Sequence, residues 1–143
     1  MTSRSLFAFP PPPSALPPRN MSIVLLCGDM MFMSRIAGAA KQIGVPCTTA
    51  MSPASLADKL VEGTRLVAID LSTPGLEPAV LVPKIRTALK VRPRVIAFGP
   101  HVAGELLEEA ETSGCDAVFS NGQFFANLPQ LLSQFVAIAP ETE

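Results

Sequence analysis

Two aspartates stand directly after apolar segments that have the composition of buried strands. Asp29 follows the run SIVLLC by one glycine, and Asp70 closes the run RLVAID. Because loops that leave the carboxyl ends of neighbouring parallel strands meet at one edge of the sheet, we expect the two carboxylates to lie close together. Carboxylate oxygens are ligands that Mg²⁺ prefers, so Asp29 and Asp70 are a candidate metal pair. The alternative is structural: Asp29 caps the following helix and Asp70 caps its own loop.

Histidine and cysteine chemistry has little support. His101 is the single histidine, so a site with several histidine ligands is excluded, and we expect this residue to begin a helix rather than act as a base. The cysteines Cys27, Cys47 and Cys115 show no metal-ligand spacing. An odd number of cysteines without a secretory signal is typical of a reducing compartment, so we expect a cytoplasmic protein with these residues in its core.

Charge is balanced over the whole chain but divided along its length. Residues 1–94 carry all 11 Lys and Arg against five acids, whereas residues 95–143 carry seven acids and no base. The net charge of −1 creates no basic field, which argues against nucleic acid as a partner. A membrane span is not expected either, because no apolar run approaches the roughly 20 residues that it needs.

The elements that must position Asp29 and Asp70 follow from the hydrophobic pattern. Strands are predicted at 22–27, 45–49, 65–70, 94–98 and 116–119. Helices are predicted at 30–43, 53–63, 77–90, 102–112 and 124–138, with Pro129 a candidate break in the last. Short links between alternating strands and helices imply a parallel sheet covered on both faces. We expect an α/β fold, a flavodoxin-like three-layer α/β/α sandwich with strand order 2-1-3-4-5.

The first 20 residues differ in composition from the rest. They hold six of the 15 prolines, including the run Pro10 to Pro13, which favours polyproline II or disorder. We expect residues 1–20 to form a flexible tail and residues 21–143 to form one domain. Phe7 and Phe9 would be the anchors if the tail docks, and translation could instead start at Met21.

The stretch LVAIDLSTPG, residues 66–75, resembles the phosphoacceptor strand and loop of response-regulator receiver domains. In that family an apolar run is followed by D-x-x-M-P-G. The resemblance extends over residues 22–138 and includes GCDAVF before the last helix. It implies that Asp70 is the phosphoacceptor and that Asp29 is the second of two metal-binding acids.

Three of the five functional positions that the resemblance implies have changed. The first metal-binding acid falls on Gly28, the strand-four Ser or Thr falls on Gly99, and the Lys after strand five falls on Asn121. Phosphoryl transfer depends on cancelling negative charge at the transferring oxygens, so these losses weaken the metal site and remove a fixed positive charge. We also expect the apolar side chains of the run Met30 to Met33 to crowd the loop.

These features predict a non-enzymatic pseudo-receiver, a signalling or protein-interaction module that works without aspartyl phosphorylation and without a cofactor. The alternative is a single-domain response regulator of a two-component phosphorelay, phosphorylated on Asp70 with Mg²⁺ bound. A nucleotide-binding enzyme has little support because the first turn holds one glycine, Gly28, rather than a phosphate-cradling GxGxxG.

The last part of the chain is a candidate interface. Residues 117–140 carry no charge, although a solvent-exposed helix normally has charged residues on its outer face. We therefore expect an exposed apolar patch that binds a protein partner or a second copy, as receiver domains often do through their fourth and fifth helices. The candidates are Glu105, Glu108, Leu128, Leu132 and Phe135. The alternative is a thickly buried terminal helix in a monomer.

Overall fold

A computed structural model describes residues 21–137. The predicted tail, with Phe7 and Phe9, and residues 138–143 lie outside the described residues. The strands are β1 (Ser22–Leu26), β2 (Cys47–Ala50), β3 (Thr64–Asp70), β4 (Arg94–Gly99) and β5 (Ala117–Ser120). The helices are α1 (Met30–Gln42), α2 (Pro53–Lys59), α3 (Pro78–Ala88), α4 (Gly104–Thr112), α5 (Asn121–Ala126) and α6 (Leu128–Ala137).

The strands form one parallel sheet in the order β2-β1-β3-β4-β5. Leu26, at the end of β1, lies opposite Ala50 on one side and Ile69 on the other. At the far edge Gly99 pairs with Ser120, which aligns the carboxyl ends of β4 and β5. The predicted flavodoxin-like topology is confirmed. The strand order reverses between β1 and β3, so this fold has its functional crevice at their carboxyl ends.

Two apolar clusters cover the two faces of the sheet. Side chains alternate along β1, so that Ile23 and Leu25 join one cluster while Val24 and Leu26 join the other. The first cluster packs α1, α5 and α6 against the sheet, and the second packs α2, α3 and α4. Because both faces are covered, the central strands are continuous apolar runs, which is why they were visible in the sequence.

Local signals set the helix ends. Ser52 forms a capping box with Ser55 and is followed by a proline in the first turn, as the Ser-Pro pair predicts. Gly44 follows α1 with a φ of +78°, a left-handed conformation that glycine adopts without a Cβ penalty. The last helical segment begins earlier than its predicted start at Phe124, because Ser120 and Gln123 form a second capping box directly after β5.

The expected break near Pro129 is present, with α5 ending before Asn127 and α6 beginning at Leu128. Proline is tolerated in the first turn of a helix because the N–H that it lacks has no intrahelical partner there. The final described segment is therefore two short helices. Both contact α1, since the ring of Phe125 in α5 lies 4.7 Å from that of Phe32 and α6 packs in the same apolar cluster as α1.

The prediction of an exposed apolar patch on the final helix is wrong for Leu128 and Leu132. Their exposed fractions are 4% and 0%, and both pack in the cluster with α1. Phe135 is partly buried against the same cluster. The outward positions carry small or uncharged residues such as Gln130 and Gln134, so the outer face is polar without being charged. The apolar residues Leu128, Leu131, Leu132 and Val136 of α6 are instead all buried in the cluster that also contains α1 residues.

No helix in residues 21–137 is long and apolar enough to cross a membrane.

Candidate functional site

A cleft of about 470 Å³ lies at the carboxyl ends of the strands. Its lining residues are Gly28, Asp29, Phe32, Asp70, Ser72, Thr73, Pro74 and Asn121. The expectation that Asp29 and Asp70 lie together at one edge of the sheet is thus confirmed. Two of the three altered positions, Gly28 and Asn121, line the same cleft.

Asp70 is buried at the end of β3, with 3% of its surface exposed. One carboxylate oxygen, Oδ1, accepts a hydrogen bond of 2.9 Å from the N–H of Ser72. The Asp70 carbonyl accepts hydrogen bonds from both the N–H and the hydroxyl of Thr73, at 3.0 and 2.7 Å. Asp70 therefore caps its own loop, as the structural alternative predicted, and it lines the cleft as well.

Cys27 is a partner of Asp70 that the sequence did not single out. Its thiol donates to Asp70 Oδ2 at 3.4 Å and to the Asp29 carbonyl at 3.6 Å. Burial, reinforced by the negative charge of Asp70, raises the pKa of the Cys27 thiol to about 12. The thiol therefore stays protonated at neutral pH and remains a hydrogen-bond donor. The one sequence feature that could have pointed to Cys27 is its position as the last residue of the first apolar run.

Asp29 is the N-cap of α1. Its Oδ1 accepts hydrogen bonds from the N–H groups of Met31 and Phe32, at 2.9 and 3.0 Å. These N–H groups have no partner within the helix, and a negative charge at this end complements the helix dipole. The capping role predicted as one of two alternatives is present, and it occupies one of the two oxygens that a metal ion would need.

The three altered positions differ in how much space surrounds them. A Cβ atom at Gly28 would have its nearest neighbour, the Met51 carbonyl oxygen, at 3.9 Å, so a side chain fits there. A Cβ at Gly99 would lie 3.2 Å from the Cβ of Leu71. Since that atom is fixed to the backbone, Leu71 cannot make room by changing rotamer. The sequence showed the missing hydroxyl at Gly99 but not that Leu71 fills its place.

Asn121 stands where the resemblance implies a lysine, at the first residue of α5. Its amide oxygen is buried and has no hydrogen-bond partner in the described part of the chain. Buried polar atoms are normally paired, so this oxygen is an unsatisfied acceptor in a residue that lines the cleft.

The expected apolar crowding of the cleft is wrong for Met30 and Met31. They are 76% and 70% exposed, and neither is among the lining residues. Phe32 does line the cleft, and its ring lies 4.7 Å from that of Phe125 and 6.1 Å from that of Phe98. Phe98 stacks on Phe124 at 4.2 Å, so these phenylalanines form core packing.

Other titratable groups lie elsewhere. His101 is exposed in the turn before α4 and does not line the cleft. Arg86 and Arg94 from the basic segment both contact Asp116, at 3.3 and 3.4 Å, and Asp116 also accepts from the Val95 N–H. Within residues 21–137 no group of three or more His, Cys, Asp and Glu side chains is placed to hold a metal ion.

No protein family model matches the chain, and no curated protein matches it in sequence. Solved structures do resemble it. The receiver domain of NtrX from Brucella abortus is 19% identical, with 82% of this chain and 100% of that chain covered and a TM-score of 0.68. The BeF3-activated DrrB receiver domain is 15% identical, with 81% and 97% covered and a TM-score of 0.68.

A phosphorylated cyanobacterial phytochrome response regulator, RcpA, is also similar, at 13% identity, 83% and 96% coverage and a TM-score of 0.66. Identities this low establish the fold alone. The chain therefore has the fold of a response-regulator receiver domain, with Asp70 at the end of β3 in the cleft that this fold creates.

Proposed function

We propose that this chain is a pseudo-receiver, a cytoplasmic signalling or protein-interaction module that works without aspartyl phosphorylation and without enzymatic activity. The observation that carries the proposal is the charge of the cleft. Two carboxylates, Asp29 and Asp70, line it, and no Lys, Arg or His does. A phosphoryl group on Asp70 would carry about −1.5 to −2 charge at neutral pH in place of the carboxylate's −1, and no basic side chain in the lining would offset it.

The packing between β3 and β4 supports the same function. Signalling by phosphorylation needs a group that senses the phosphoryl oxygens and transmits a movement to the surface. The corresponding residue, Gly99, has no side chain, and Leu71 lies where the Cβ of a serine or threonine would come within 3.2 Å. A hydroxyl is therefore absent, and the space for it is filled.

The hydrogen bonds of Asp70 are a further supporting feature. Both carboxylate oxygens already accept a bond, from Ser72 and from Cys27. Attack on a phosphoryl donor would have to use the remaining lone pair of an oxygen that is already hydrogen-bonded and belongs to a buried side chain. The proposed output is instead a constitutive protein contact, for which Glu105, Glu108 and Phe135 at the fourth and terminal helices remain candidates.

A second candidate function is a single-domain response regulator phosphorylated on Asp70. The location of Asp70 beside Asp29 favours it, since these two carboxylates would be the protein ligands of Mg²⁺. Two of the similar structures are a phosphorylated response regulator and a BeF3-activated receiver domain, so this fold supports such chemistry in those proteins.

The test is to add Mg²⁺ with beryllofluoride, and separately acetyl phosphate, to the full chain. We expect no added mass and no shift in the backbone amide signals of Ser72, Gly99 and Asn121. Asp70→Asn is the matched control and should behave like the unaltered chain. A phosphoryl mass adduct that Asp70→Asn abolishes, together with shifts at Gly99, would establish the second candidate and overturn the first.

A further inference from the structure

The polar atoms of the cleft are mostly hydrogen-bond acceptors. Asp29 and Asp70 contribute carboxylates, and the amide oxygen of Asn121 is buried without a partner in the described residues. The Thr73 hydroxyl is already used as a donor to the Asp70 carbonyl. A ligand that fits this lining must therefore bring donors.

The carboxylates of Asp29 and Asp70 can accept further hydrogen bonds beyond those that they already make within the chain. An ionised carboxylate offers about four lone-pair sites, and the described residues use two of those on Asp70. The cap of α1 uses Oδ1 of Asp29, whereas Oδ2 makes no hydrogen bond within residues 21–137. The two carboxylates thus keep sites for a donor-rich cation.

A guanidinium group fits these sites better than a metal ion does. Mg²⁺ requires nearly octahedral oxygen ligands at about 2.0–2.1 Å, and one oxygen of Asp29 is committed to the helix cap. A guanidinium has five donors in a plane, is weakly hydrated and stacks on aromatic rings. Phe32 supplies a ring at the wall, and about 470 Å³ is ample for an arginine side chain.

The surroundings favour an arginine carried by a protein over a free small molecule. Met30 and Met31 follow Asp29 directly and are 76% and 70% exposed. Exposed methionines adapt to varied partner surfaces and are common at protein-binding sites. Residues 95–137 add five acids and no base, which gives this half of the domain a negative potential that attracts a cationic partner.

We propose that the cleft at Asp70 is a receptor for an arginine side chain of a partner protein, with Asp29 and Asp70 as acceptors, Asn121 in the wall and Phe32 as the stacking surface. The inference rests on the proposed function, because a phosphorylated Asp70 would occupy the same space. The partner's guanidinium then supplies the positive charge that Asn121, which stands where the resemblance implies a lysine, does not supply.

The test uses N-acetyl-arginine amide as the probe and follows the amide signals of Phe32, Ser72 and Asn121 in the full chain. We expect saturable shifts at millimolar probe and at least fivefold weaker binding of N-acetyl-lysine amide. Mg²⁺ and inorganic phosphate at equal concentration should leave these signals unchanged. Absence of shifts with the arginine probe, equal binding of the lysine probe, or tighter binding of Mg²⁺ would overturn the proposal.

Asn121→Lys is the diagnostic variant, because it places an amine in the cleft and should weaken arginine binding at least tenfold. Gln134→Lys adds the same charge on the exposed face of α6 and should bind the probe like the unaltered chain. Equal loss in both variants would mean general charge repulsion and would refute the assignment. If the arginine probe fails and beryllofluoride also leaves Asp70 unchanged, the receptor proposal falls while the proposed function stands.

Discussion

At the scale of single residues, the cleft is built from side chains that hydrogen-bond to the backbone as well as to one another. Asp70 caps its own loop, Asp29 caps α1, and Thr73 ties the loop back to β3. Cys27 connects the ends of β1 and β3 through its thiol. A loop fixed in this way presents its acceptors at constant positions, which suits recognition of a rigid group more than a switch between two states.

The Thr73 hydroxyl is the simplest of these contacts to test. Thr73→Val keeps the shape of a side chain that is 5% exposed but removes its 2.7 Å hydrogen bond to the Asp70 carbonyl. We expect the free energy of unfolding to fall by about 1 kcal/mol, measured by urea denaturation. Ser72→Ala is the control, because Ser72 contributes its N–H rather than its hydroxyl, and should change stability by less than about 0.5 kcal/mol. Equal effects of the two substitutions would contradict this account of the loop.

At the scale of elements, β3 and β4 pack so closely at their carboxyl ends that a side chain on Gly99 would require Leu71 to shift. The carbonyl of Phe98 accepts from the Leu71 N–H at 2.9 Å, which holds the two chains together at this point. The Leu71 side chain, 4% exposed, then covers Gly99. The loss of the hydroxyl is thus part of the packing between two strands and not an isolated change.

Gly99→Ala and Gly28→Ala form a matched pair of tests for this packing. The first places a Cβ 3.2 Å from Leu71 Cβ, and overpacking of this kind typically costs about 1–3 kcal/mol. The second meets no atom closer than 3.9 Å and should change the free energy of unfolding by less than about 0.5 kcal/mol. Thermal unfolding followed by circular dichroism measures both, and a stable Gly99→Ala variant would show that Leu71 does not close the position.

At the scale of the whole molecule, the sheet is covered on both faces and the terminal helix belongs to the core. Leu128 and Leu132 lie on the buried face of α6, whereas Glu105 and Glu108 on α4 are exposed. Exposed positions available to partners include the acids of α4, the methionines at the start of α1, and the apolar side chains Met51, Val61, Val80 and Val102. Association through electrostatic complementarity is expected to depend strongly on salt.

Two substitutions separate core residues from interface residues at this scale. Leu132→Ala should lower the free energy of unfolding by about 2–5 kcal/mol, because it opens a cavity in a fully buried site. Glu105→Lys should leave stability within about 0.5 kcal/mol and weaken any association seen by sedimentation at low salt. If Leu132→Ala left stability unaltered but reduced association, Leu132 would belong to an apolar interface after all, contrary to what its burial indicates.

The sequence by itself determined the elements and their order. Continuous apolar runs, the Ser52-Pro53 cap and Gly44 are local signals, and rules of chain connection convert them into one parallel sheet. The same rules brought Asp29 and Asp70 to one edge, since the carboxyl ends of parallel strands coincide. The altered positions Gly28 and Asn121 were also visible, because they are defined by their distance along the chain from recognisable strands.

Only the tertiary structure decided what covers each side chain. The thiol of Cys27 meets Asp70 from 43 positions away, and Leu71, which follows β3, packs over Gly99 in the neighbouring strand β4. Leu132 is buried because α1 lies over it, whereas Met30 and Met31 are exposed because no described residue covers them. A periodic pattern gives the face of a helix but not the extent of its neighbours, since that extent depends on how separate elements pack in three dimensions.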